Sequence, residues 1–181
     1  MQSHKTDLPG VLMFEPGVFS DHRGHFIELW QQTRYAEAGL PATFVQDNMS
    51  YSRRSVLRGL HLQYPHGQGK LVSVLRGKIW DVAVDLRRDS PRYKNWFGTE
   101  LSSENRRQLY IPEGFAHGFV VTGEEALVVY KVTDFHQPAA ETTVLWNDPE
   151  IGIQWPLDAP VVSAKDAAGL PLREIPPQRL P

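Results

Sequence analysis

Two histidines stand where an imidazole needs a reason to be. His61 lies in VLRGLHLQYP and His117 in IPEGFAHGF, each in an apolar, strand-like run beside a glycine or proline turn. A ring so placed is either a hydrogen-bonded core side chain or a base held in a pocket, because a buried polar group without a partner is costly. Imidazole exchanges protons near neutral pH, so a pocketed histidine suits general acid–base work. Other chemistries lack their residues. Gly67-Gln68-Gly69-Lys70 ends like a phosphate-binding loop, but Leu71 stands where Ser or Thr is required and Tyr64 where the first Gly is required. There is no glycine fingerprint for a dinucleotide and no nucleophile-elbow serine. The chain has no cysteine, which removes disulfides, thiolate ligands and thiol nucleophiles and fits a reducing compartment.

The elements that must position these histidines are short. The chain carries 14 Gly and 14 Pro, and the segments between them are rich in Val, Ile, Phe and Tyr, which predicts an all-β fold. LVSVL, a turn at Arg76-Gly77-Lys78 and IWDVAVDL read as one hairpin. In its second strand Trp80, Val82, Val84 and Leu86 share a face while Asp81 and Asp85 point the other way, the pattern of a half-buried strand. A second hairpin is predicted from Phe115 to Val121, a turn at Thr122-Gly123-Glu124-Glu125 and a return from Ala126 to Phe135. Two hairpins with flanking strands suggest a jelly roll or barrel. A short polar helix is predicted near Gln31 to Ala38, and a Pro-rich tail from Pro171 to Pro181.

A length of 181 residues fits a single domain, 1–181, large enough to bury a core. The net charge of -2 provides no basic field for nucleic acid or anionic membrane, so any phosphate must be met by a few local cations. No apolar run approaches the roughly 20 residues that span a bilayer, and MQSHKTDLPG has no signal core, so a cytoplasmic protein is expected.

Pro112-Glu113-Gly114-Phe115-Ala116-His117 has the Pro-x-Gly-x-x-His spacing of the second cupin motif. Metal-binding cupins pair it with His-x-His, but the matching stretch here is His61-Leu62-Gln63, which argues against a metal. Beyond that motif, FSDHRGHFIE, FVQDNMSYS, VLRGLHLQ, GKLVSVLRGKIWDVAVDLR, LSSENRRQLYIPEGFAHGF, VVYKVTDF, WNDPEIGIQWP and SAKD occur in order from about Leu8 to Asp166. In these segments the chain resembles the dTDP-4-dehydrorhamnose 3,5-epimerases. The resemblance implies a cupin-type jelly-roll β-barrel with short peripheral helices, a homodimer, and no cofactor. It also implies a dTDP-4-keto-6-deoxy sugar substrate inverted at both carbons flanking its keto group.

Such a reaction proceeds through an enolate, so it needs a base, a partner for the enolate oxygen and an acid on the opposite face. The resemblance assigns His61 as base with Asp166 orienting it, Lys70 beside the keto oxygen and Tyr130 as the opposing acid. It places Arg23 and Arg58 on the diphosphate, since guanidinium forks match phosphate oxygens, with Lys165 near the other end. Glu28, Gln46, Asp47, Asn48, His117 and Glu141 match further substrate contacts. His136 stands where the family commonly has an aromatic ring that stacks on thymine, which weakens the expectation of strict thymidine preference. Simple alternation would send Arg58 and His61 to opposite faces of one strand, so a bulge at Gly59 is predicted to reset the parity. A mono-epimerase, a ketoisomerase on the same barrel and a non-catalytic sugar-nucleotide-binding cupin share parts of this pattern. The last of these has no need for His61, Asp166, Lys70 and Tyr130 together.

Overall fold

The computed structural model describes residues 1–40 and 43–181. Its strands are β1 (Gln2–Lys5), β2 (Leu12–Glu15), β3 (Val18–Asp21), β4 (Gly24–Ile27), β5 (Gln46–Arg53), β6 (Leu57–Gln63), β7 (Lys70–Asp85), β8 (Trp96–Ser102), β9 (Gln108–Ile111), β10 (Phe115–Val132) and β11 (Glu141–Thr143). Two short helices, α1 (Gln32–Glu37) and α2 (Ala164–Ala167), lie at the periphery.

The two predicted hairpins are instead two long strands. β7 runs unbroken through Arg76-Gly77-Lys78 and β10 through Thr122 to Glu125. They pair antiparallel with each other, from Phe115 opposite Asp85 to Val132 opposite Lys70, with register shifts between Val121 and Ala126 and between Leu127 and Val128. Glycine within a strand serves a bulge or a close backbone approach as readily as a turn. At Gly77, with φ +76, a Cβ would lie 1.8 Å from the Glu125 carbonyl oxygen, so the residue is glycine because two backbones meet there.

These bends let each long strand serve two sheets. The C-terminal part of β7 pairs with β8 and with the first half of β10, which in turn pairs with β6, and β6 with β11. The N-terminal part of β7 pairs with β9, and β9 with β2 and then β1, while the second half of β10 pairs with β5. The result is the all-β, cupin-type jelly roll expected from the sequence. Its core draws Val72, Leu109 and Val128 from one sheet and Ile79, Ala83, Leu101 and Phe119 from the other. Burial of each of the larger of these side chains contributes on the order of 2 kcal/mol.

The β6–β7–β8 side is covered on its outer face as well. Trp80, Val82, Val84 and Leu86 do share a face, and it packs against Val144, Ile151, Ile153 and the chain's end. The opposite face is the barrel interior, so the half-buried strand expected from alternation is a fully buried one in which Asp81 and Asp85 are both 0% exposed. Each carboxylate has partners that make this tolerable: Asp85 accepts from Arg87 and Ser90, Asp81 from His117. The Pro-rich tail is tied down, with Leu172, Ile175 and Leu180 buried and the Leu172 N–H donating to Asp148 at 2.7 Å. Helix α1 falls where predicted, its Gln31 side chain capping the Arg34 N–H. β3 and β4 form a separate two-stranded ribbon. None of the described helices is long and apolar enough to cross a membrane.

Candidate active site

The site begins with the bulge at Gly59. Along β10 His117 faces His61 and Phe119 faces Arg58, so β6 carries one extra residue over this stretch. Gly59 has φ +124, and a Cβ there would lie 2.6 Å from the Gly118 Cα and 2.8 Å from the His117 carbonyl oxygen, space that only glycine can leave open. The bulge resets the alternation: His61 lines the same cavity as Tyr130, while the Arg58 guanidinium lies outside that lining, donating to the Ser52 hydroxyl at 2.9 Å and the Tyr51 carbonyl at 3.1 Å.

His61 Nε2 lies 2.7 Å from Asp166 Oδ1. Asp166 is 3% exposed and sits in α2, where the Ser163 hydroxyl caps its N–H, and its second oxygen receives the Gly59 N–H at 3.4 Å. Burial alone would raise the carboxyl pKa; the hydrogen bonds from His61, Gly59 and Ser163 outweigh it and hold the pKa below the usual carboxylate value. An ionised carboxylate on Nε2–H leaves the imidazole lone pair on Nδ1. The contact fixes the orientation of the ring.

A cavity of about 330 Å³ opens from His61 and is lined by Lys70, Tyr130, Gln46, Asn48, Gln63, Gln68, His136, Glu141 and Lys165. Lys70 starts β7, is 8% exposed, and has no carboxylate within ion-pair distance among the described residues. Burial pushes its ammonium down to about 8, opposed by the more distant Glu141 and Asp81. Tyr130 is raised above its ordinary value chiefly by burial, with Arg58 lowering and Glu141 raising it, so its hydroxyl stays protonated at neutral pH. Glu141 holds Lys165 at 2.7 Å and His136 at 3.1 Å. Its burial would raise its pKa, but the hydrogen bonds from Lys165 and His136, together with the fields of His61 and Lys165, bring it below the usual range.

Not every residue singled out in the sequence reaches this cavity. Strand alternation turns Gln46 and Asn48 inward, where the Gln46 amide donates to Asn48 at 2.8 Å, and Asp47 outward to an ion pair with Lys131 at 2.9 Å. Arg23 is bound to Asp21 on the β3–β4 ribbon at 2.6 Å, and Glu28 to Arg34 at 2.8 Å, both outside the cavity of their own chain. His117 is the cross-strand partner of His61 and is not part of the cavity wall; its Nε2 donates to Asp81 at 2.9 Å. That second histidine–carboxylate pair was half hidden in the sequence. Asp81, whose other oxygen is buried with no hydrogen-bond partner among the described residues, was read as the outward side of a strand. The signal that could have found it is a carboxylate in the middle of an apolar run, IWDVAVDL.

A jelly roll whose interior presents a carboxylate-oriented imidazole, a buried ammonium and a protonated phenol defines a class: an isomerase that moves protons on carbon beside a carbonyl. The family model described as dTDP-4-dehydrorhamnose 3,5-epimerase matches residues 5–174. A dTDP-4-dehydrorhamnose 3,5-epimerase of Pseudomonas aeruginosa is 54% identical over 171 residues, covering 93% of this chain and 94% of the relative. One from Methanothermobacter thermautotrophicus is 51% identical, covering 95% of each. A crystal structure of the Legionella pneumophila dTDP-6-deoxy-D-glucose-3,5-epimerase in complex with dTDP-4-keto-L-rhamnose superposes with a TM-score of 0.96 at 46% identity, covering 99% of this chain and 97% of that one. The chain belongs to the dTDP-4-dehydrorhamnose 3,5-epimerase family, and it is an isomerase.

Proposed function

We propose that this chain inverts C3 and C5 of dTDP-4-dehydro-6-deoxy-D-glucose, giving dTDP-4-dehydro-L-rhamnose for dTDP-L-rhamnose synthesis, with the residues of the cavity in the following roles. His61 takes the proton α to the 4-keto group, and the C–H electron pair becomes an enolate whose oxygen faces the Lys70 ammonium. Tyr130 then returns a proton to the same carbon from the other face, leaving a phenolate that solvent reprotonates while the imidazolium loses its proton. The cycle repeats at the second carbon. The observation that carries this reading is the His61–Asp166 pair at 2.7 Å on the wall of one cavity shared with Lys70 and Tyr130. Arg58 supplies charge for the diphosphate, and Gln46, Asn48, His136, Glu141 and Lys165 surround the rest of the substrate.

We further propose a homodimer in the cytoplasm. The β3–β4 ribbon exposes Phe19 at 66% and Phe26 at 67%, and β5 exposes Met49 at 67%. A two-stranded ribbon with bare aromatic rings is marginal alone, and apolar surface of this kind marks an interface. A second cavity of about 600 Å³ on this side is walled by Leu29, Trp30, Met49 and Leu75, a surface that a second copy would cover. In such a dimer Arg23 and Glu28 serve the partner's cavity rather than their own. Sedimentation velocity should give a dimer, and a monomer at micromolar concentration would contradict it.

Tyr130→Phe separates the two faces of the reaction. Removing the acid while leaving the base should permit deuterium from solvent to enter through His61 with retention, and should cut inversion by about 10²-fold. Parallel loss of exchange and inversion would place Tyr130 on the base side instead.

A further inference from the structure

We propose that Gln63 is a positioning residue for the sugar nucleotide, fixing the cavity mouth by clamping the backbone on both sides of His136; this rests on the epimerase reading above. Gln63 ends β6 and is 4% exposed. Its Nε2 donates to the carbonyls of His66 and Phe135, and its Oε1 accepts the Gln137 N–H at 2.8 Å. The contacts at 135 and 137 flank His136 by one residue on either side, so the peptide bearing that ring is held from both directions. His136 then reaches Glu141 at 3.1 Å, and Glu141 is the cross-strand partner of Gln63 itself. The contact to His66 ties in the second loop of the mouth. That loop is joined to the first by Gln68 donating to the Asp134 carbonyl at 2.7 Å and by the Gly69 N–H donating to Thr133 at 2.8 Å.

A buried amide with its donor and acceptor ends all engaged orders the groups it touches, whereas an apolar side chain of equal length would leave two carbonyls and an N–H unmatched. The reacting groups have other supports. His61, on the same strand as Gln63, is held by Asp166 and by its pairing with His117, while Asp166 is set by α2, Lys70 by β7 and Tyr130 by β10. Loss of Gln63 should therefore loosen substrate binding and spare the chemical step.

The test is Gln63→Met, His136→Ala and the double variant, assayed for kcat and KM on dTDP-4-keto-6-deoxy-glucose and for dTDP affinity by calorimetry. Gln63→Met should raise KM and weaken dTDP by about tenfold with kcat within about threefold of the parent. In the His136→Ala background it should add less than about twofold, because both changes remove one function. Multiplicative effects, or a fall in kcat at unchanged KM, would overturn the proposal. Should Gln63→Met fail to fold, Gln63→Glu keeps the acceptor for Gln137 but turns a carboxylate on two carbonyls, and the same KM-against-kcat criterion applies. Calorimetry with dTDP needs no turnover. A parent protein that binds dTDP but does not turn over the sugar would count against the epimerase reading, and unchanged dTDP affinity in the variant would count against Gln63.

Discussion

His61→Asn should abolish proton exchange at both carbons of the substrate together, lowering kcat by about 10³-fold or more. The reason lies in the geometry rather than in the histidine alone. Asp166 is buried and ionised, so the ring it holds has its free lone pair on the nitrogen away from the carboxylate. Asparagine can still offer an N–H toward that carboxylate, which keeps the buried charge partnered and the fold intact, but it has no basic lone pair to take a proton. His61→Ala should lose the same activity and also destabilise the protein by about 1–3 kcal/mol, because it leaves Asp166 short of its strongest hydrogen bond. Exchange followed by NMR at each carbon is the readout. Loss at one carbon with survival at the other would mean that a second base exists, and His117 with Asp81 would be the first place to look.

Lys70→Met should lower kcat by about 10²–10³-fold while making the protein more stable. In the proposed reaction the ammonium faces the oxygen that becomes negative, and losing one such donor typically costs about 3 kcal/mol of barrier. Burial holds its pKa at about 8 against an ordinary 10.5. A lysine with a depressed folded pKa penalises the folded state below that pKa, and the penalty fades as pH rises from about 8 to 10.5. Methionine is an unbranched chain one atom shorter and without the charge, so the variant should gain on the order of 1–3 kcal/mol in denaturant unfolding at pH 7, and the gain should vanish near pH 10.5. The same titration gives the parent an alkaline limb, kcat/KM falling as pH passes about 8 and the cation is lost. A destabilised methionine variant, or a rate flat through that pH, would show that the ammonium is better solvated than its surroundings imply.

How much of this was legible in the sequence depended on whether a residue's role was local. The bulge at Gly59 followed from the parity of Arg58 and His61 on one strand, and the extra residue on β6 opposite Gly118 is that bulge. α1 was legible from its polar run, but α2 has only four residues and no periodicity, so Asp166 was reached through the family resemblance alone. Gly77 and Gly123 were read as turns since a single sequence cannot distinguish a glycine that reverses the chain from one that lets another backbone approach. The same limit hid Asp81. Alternation gives the two faces of a strand but not what covers each, and here the face with the carboxylates turned into the barrel while the C-terminal segment covered the other. On β5 Gln46 and Asn48 take the positions facing the His61 cavity, while Asp47 between them pairs with Lys131. Arg23 and Glu28 are not among the residues that line the His61 cavity, a placement that no local pattern encodes.

The most direct measurement is incubation of the parent protein, with no reductase present, with dTDP-4-keto-6-deoxy-glucose in deuterated water, followed by mass spectrometry and NMR. Enolisation on either side of the keto group with reprotonation from Tyr130 requires deuterium at both C3 and C5, with both centres inverted. Deuterium at one carbon alone, or none from folded protein, would contradict a double epimerase built on His61, Lys70 and Tyr130.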